Sequence, residues 1–355
     1  MPLYTPPSAK YPLPSGLKTP PLSVGLPRDF ATITSPEAVA GSLQDAVFSV
    51  SSLDLMHHYS ISTHITLSPN NKHGDIWRAV APKEAFSHNF LLHGILALSA
   101  LHKAHLEPET AQQNTELAMQ HYASAISLFR PVLTNIQSDN VVAAFCFSAL
   151  VVFISWAFPI PEPEPQPGTH DSESSLGPNE ILQHVVDILR LQRGVRDVIS
   201  SGRESVRPLA PMFKLKHNAA DAALPTEDEA AMKKLEQRIY SDLESEDLRT
   251  VYMEALQQFR RFYPLESSDD PHVLVRAWPT QLSREFFTAM AERRPLAVVI
   301  LAYHGALLHG LRDCWWLGDK GRRLVVAASE CLPPGYEDVM EWPRMRAGLD
   351  EAMEK

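Results

Sequence analysis

Cysteine is scarce: Cys146, Cys314 and Cys331 are the three in 355 residues. They lie too far apart in sequence for a C-x-x-C metal pair or a disulfide framework, which suits a reducing compartment. Basic charge is also short. Lys plus Arg number 32 against 42 acidic residues, a formal net charge of −10. There is no basic footprint for a phosphate backbone, so direct nucleic-acid binding by this chain is not expected. Neither G-x-G-x-x-G nor G-x-x-x-x-G-K-[ST] occurs, and G-x-S-x-G and H-E-x-x-H are missing too. Dinucleotide, P-loop, nucleophile-elbow and zinc-protease chemistry thus lack their sequence anchors, and no cofactor or metal is expected. The N-terminus, MPLYTPPSAKYPLPSG, has no charged region followed by an apolar one, so no secretory signal is read. Strand-type alternation does not persist anywhere, and no period of 20–50 residues repeats.

What is present is helical. Hydrophobic residues at 45% and charged ones at 21% are ordinary for a globular chain, and the length provides ample core. The stretch PKEAFSHNFLLHGILALSALHKAHL (82–106) predicts one long helix, apolar on nearly all sides and therefore surrounded by others. His88, Leu92, Ile95, Ser99 and His102 fall on one side of it. His93, Ala97, Ala100 and Ala104 fall on another, a row of small side chains that admits a second helix or a flat ligand. Further helices are predicted over 53–67, with Leu53, Met56, Tyr59 and Ile61 as its apolar side, and over 109–130, closed by Pro131. Others cover 179–201, 226–243, 245–263 and 295–316. VVAAFCFSALVVFISWAF (141–158) carries no charge over 18 residues, at the threshold for spanning a bilayer. Its acidic rather than Lys/Arg-rich flank favours a buried core helix over membrane insertion. The reading is all-α: a Pro/Ser-rich disordered leader over 1–34, then one large multi-helix domain over 35–350. A Pro/acid-rich loop at 159–178 interrupts it.

Fifteen histidines invite a search for chemistry. His102 and His105, at i, i+3, lack an evident third metal ligand and read as an exposed helix end. His93 borders the small-residue row, and His304 follows Tyr303 in a strongly apolar helix; each is either a hydrogen-bonded core histidine or a ligand contact. Arg312-Asp313-Cys314-Trp315-Trp316 reads as an ion-paired helix end with two core aromatics, or as a pocket wall. Asp269-Asp270, followed by Pro271, reads as a turn.

Two stretches say more than their physics. LDLMHHYSISTHITLS with WRAVAPKEAFSHNFLLHGILALSALHKAH (53–105), and RAWPTQLSREFFTAMAERRPLAVVILAYHGALLHGLRDCWWLGDKGRRLV (276–325), resemble the regulatory region of fungal zinc-cluster transcription factors. The resemblance is closest to the sterol-uptake-control type, and ILRLQRGVRDVI (188–199) fits the same order. It implies an all-α domain that binds a lipid such as a sterol and controls transcription. The family's six-cysteine, two-zinc DNA-reading cluster has no counterpart here, since no cysteine precedes Cys146.

Two functions are therefore expected in competition. In the first, a regulatory domain binds a hydrophobic small molecule, a sterol or terpenoid, between the central helix and 295–316. It then acts through other transcription factors or as a homodimer. Helical faces nominate Met56, Phe86, Phe90, His93, Ala97, Tyr303, His304, Leu307 and Trp315 as the contacts. In the second, the same pocket folds a natural-product precursor for a cofactor-free cyclisation, pericyclic or isomerisation reaction. His93, Tyr303 or His304 would supply the hydrogen bonds.

Overall fold

The computed structural model describes residues 49–68, 75–160, 176–201, 225–263 and 272–349. The 1–34 leader, most of the 159–178 loop and the Asp269-Asp270 turn lie outside the described residues. Thirteen α-helices and no strand are present among the described residues. They are α1 (Val50–His58), α2 (Ala81–Ala85), α3 (Asn89–Leu106), α4 (Ala111–Leu133), α5 (Val141–Ala157), α6 (Pro178–Ser201) and α7 (Thr226–Asp242). The series continues with α8 (Glu246–Phe262), α9 (His272–Gln281), α10 (Arg284–Ala291), α11 (Pro295–Gly310), α12 (Lys320–Cys331) and α13 (Glu337–Arg346). The all-α expectation holds. Helix starts follow from short polar residues: Ser49, Ser245 and Ser283 each accept a backbone N–H three residues on, and Pro295 opens α11 where its missing N–H costs nothing.

The helices form two packed halves. In the first, α3 lies against α4, α5, α1 and α2; in the second, α11 lies against α12, α13, α8, α10 and α9. Helix α6 ties them together, packing on α5 from one half and on α9, α10 and α12 from the other. Helix α5 is buried from Ala143 to Trp156 without interruption. It is the core helix its composition predicts, and no helix among the described residues is long and apolar enough to cross a membrane.

Several local expectations need correction. The 82–106 stretch is two helices, not one. Phe86 and Ser87 form a turn, and His88 takes an extended conformation (φ −136°, ψ 94°) just before α3. The short polar residues Ser87 and Asn89 tolerate that break, which lets α2 turn its Ala81 and Ala85 inward and pack on α5 as well as α3. The break leaves Phe86 outside, 71% exposed. Helix α11 likewise ends at Gly310, so Trp315 and Trp316 belong to a run of turns through Gly318 (φ 55°) rather than to a helix. Helix α4 absorbs Pro131 in its last turn. Finally, α1 buries Ser52 and Leu55, and Tyr59 and Thr63 follow on the same side. Leu53 and Ile61 face outward. Counting apolar residues picked the wrong face because the buried one is partly polar.

Candidate functional site

The polar face of α1 leads to the point where the two halves meet. A π-helical turn (Tyr59–Thr63) continues α1 and adds a residue to the register. Ser99 of α3 donates to the Leu55 carbonyl at 2.6 Å, and Lys103 reaches Asp54 at 2.6 Å. Between these, His102 Nδ1 lies 3.0 Å from the Thr63 hydroxyl and 3.2 Å from His58 Nε2. A neutral His102 whose Nδ1 accepts from both satisfies all three groups. The opposite wall is Trp315, which stacks on His102 at 4.6 Å, reaches the His105 ring at 5.9 Å, and donates its indole N–H to Thr66 Oγ1 at 2.9 Å. His102 is thus buried, not part of an exposed helix end. Burial, helped by the neighbouring His58 and His105, pushes its pKa down to about 3.

Beside this junction runs an aromatic contact of the same half. The Trp77 and Trp316 rings both stand edge-on to Phe153, at 5.9 and 5.1 Å. Phe153 belongs to α5 and Trp316 to the turns after α11, so this contact also crosses between the halves. Neither indole N–H meets an oxygen or nitrogen acceptor, and the edge-on geometry aims ring hydrogens at the phenyl face instead.

The remaining nominated residues sit inside one half or the other. Phe90 packs with Phe129 (5.2 Å) and Phe147 (5.7 Å) where α3, α4 and α5 converge. His93 faces α4, its Nδ1 2.9 Å from His121 Nδ1. Ala97 and Ala100, in the same small-residue row, are fully buried, so that row admits the helix α4. Burial holds His93 below its ordinary value and takes His121 to about 4.

In the second half Tyr303 stacks on Trp342 at 4.7 Å and donates to the Ala231 carbonyl at 3.3 Å. His304, one residue on, lies over Trp278 at 4.5 Å, with Leu307 buried a turn later. Full burial takes His304 to about 3. Sequence reasoning did not single out Asp228, a buried carboxylate that accepts from the Tyr263 hydroxyl and from Trp342 Nε1. Its signal was weak: one acid in the first turn of a polar-looking helix.

The structure therefore brings Trp315 to the end of the central helix. It leaves Phe90, His93 and Ala97 in one half and Tyr303, His304 and Leu307 in the other. The three nominated hydrogen-bonding groups His93, Tyr303 and His304 do not share one site. Among the described residues no three His, Cys, Asp or Glu side chains converge as for a metal ion.

An all-helical domain with a buried central helix and no converging catalytic groups fits a regulatory module. Residues 54–157 match the fungal specific transcription factor domain, and the chain is a regulatory domain of that family. It is similar to a Zn(2)-C6 fungal-type transcription factor of Gibberella zeae, 26% identical over 318 residues, which covers 84% of this chain and 62% of the relative. It is also similar to Sterol uptake control protein 2 of Candida albicans, 34% identical over 106 residues, or 30% of this chain and 14% of that protein. The Sterol uptake control protein 2 of Saccharomyces cerevisiae is 32% identical over 136 residues, 38% and 14% of the respective chains. The chain thus spans less than two thirds of each of these relatives.

Proposed function

We propose that this domain senses a hydrophobic small molecule, a sterol or terpenoid, and modulates transcription in the nucleus through protein partners. The observation that carries the reading is the likeness to two sterol uptake control proteins over about a third of the chain. The junction around Trp315 supplies a mechanism. Helices α3 and α11 are each wrapped by their own half, so a ligand acts where the halves touch rather than by parting those two helices. Trp315, His102 and the half-buried Met56 border that contact. A rigid polycyclic ligand that displaces Trp315 from His102 changes how the halves are held, which is a differential contact between two states.

A thermal-shift titration with ergosterol and with smaller terpenoids tests this. Binding to the folded state raises the melting temperature in proportion to ligand concentration over its dissociation constant. Trp315→Ala should remove the response while the protein still melts cooperatively. A flat melting temperature with every sterol and terpenoid up to its solubility limit rules the reading out.

A further inference from the structure

Nine large apolar side chains stand exposed among the described residues, and four of them share one short stretch: Val50 (84%), Leu53 (62%), Ile61 (55%) and Ile65 (61%). With the exposed His57 they make a stripe along α1 and its π-helical continuation, opposite the face that holds Ser52, Leu55, Tyr59 and Thr63 against the core. The stripe carries no charged residue. Its steps are three, four, four and four. The two last steps would drift around an ideal α-helix, but the π turn, with its wider turn, pulls Ile61 and Ile65 back into line. The resulting row has the 3–4 spacing of a helix–helix seam. The spacing also runs back through the sequence, from Val50 to Ala46, Leu43 and Val39.

We infer that this stripe is where a second copy of the chain docks, the same row on each copy packing side by side about a two-fold axis. This deepens the partner part of the function proposed above without depending on its ligand. A flat, one-helix-wide row offers no groove for a differently shaped partner, whereas it is complementary to itself. The four side chains expose roughly 450 Å² per copy, about half the contribution of each partner to a standard interface. The dimer of the described residues alone is therefore a weak, concentration-dependent one.

Sedimentation velocity of the full chain, without ligand or DNA, tests this over roughly 1 to 200 µM, the range where small interfaces assemble. The wild type should shift from 39.6 kDa toward twice that mass as concentration rises. Leu53→Glu and Ile61→Glu should each weaken association at least about tenfold, since each places a charge in the apolar seam. Their melting temperatures should stay unchanged because both side chains point away from the core. Leu133→Glu, exposed on α4, should leave the dimer intact. A wild type that stays monomeric throughout overturns the proposal, whatever else covers the stripe. So does a dimer indifferent to Leu53→Glu and Ile61→Glu.

Discussion

The two halves are held together by different chemistry. Between α1, α3 and α4 the seams contain histidines facing one another, His58 with His102 and His93 with His121. Around α11 the contacts are aromatic, Trp278, Phe259, Tyr303 and Trp342 in sequence, with Asp228 as the single acid beneath them. The glycines differ in the same sense. A Cβ on Gly94 would meet only the ring of Phe147, 2.7 Å away, which can turn. A Cβ on Gly321 would run into the backbone of His309, Leu308 and Gly305, which cannot. The first half is adjustable at its seams; the second is locked backbone to backbone where α11 crosses α12. A domain that must respond at one place and hold still at another is built this way.

The sharpest test of that contrast is the glycine pair. Gly321→Ala should cost about 3–5 kcal/mol or prevent folding, while Gly94→Ala should cost about 1–2 kcal/mol. Urea unfolding of both variants measures this, and equal costs would erase the distinction. Next in size, Asp228→Ala strands the Tyr263 hydroxyl and the Trp342 indole N–H in the core and should cost about 2–4 kcal/mol. Asp228→Asn, which keeps one acceptor oxygen, should recover part of it. Trp315→Ala should cost less, about 1–3 kcal/mol, because the ring is half-buried. It should also raise hydrogen exchange at α1 and the C-terminal turn of α3 while leaving α11 and α12 protected. Uniform deprotection across both halves would show that the junction does not separate them.

The smallest effect is on pH dependence, and it cuts across the contrast. His102 stays neutral in the fold down to pH about 3, against 6.5 when unfolded. As pH falls, the unfolded chain takes up the proton first. The stability this histidine contributes is whole above pH 6.5 and drains away between there and about 3. His304 has the same window, and His121 a slightly narrower one ending near 4. Stability measured by circular dichroism should therefore fall on acidification below pH 6.5. His102→Asn and His304→Phe should each flatten that fall. An unchanged slope in both would mean these rings do not control it.

Much of this was legible in the sequence because it rests on bulk patterning. The apolar density of α3, α5 and α11 fixes them as buried helices whatever their partners, and the absence of alternation excludes a sheet. The site was less legible for reasons visible in particular residues. The face of α1 could not be chosen, since its buried side uses Ser52 and Thr63 to satisfy Ser99 and His102, which lie far away in sequence. The helix break before Asn89 is a local choice of Ser87 and His88 that periodicity alone does not see. His93, Tyr303 and His304 share a chemical character but not a location, and which residues converge is decided by how helices pack. Trp315 was nominated for a helix wall and reaches the right neighbourhood by a turn instead.

The π-helical turn at Tyr59–Thr63 bears on how this region can change over generations. It holds one residue more than an α-helix would need, so losing any one of those five residues would leave the hydrogen-bonded chain unbroken. It would, however, swing everything after it by about 100° around the axis. Thr66 would leave Trp315, and Ile65 would leave its row. Point substitutions here are buffered by the surrounding helices, but insertions and deletions are not. Lineages that keep this junction should therefore keep the length of the segment from Leu55 to Thr66 constant even where its residues vary.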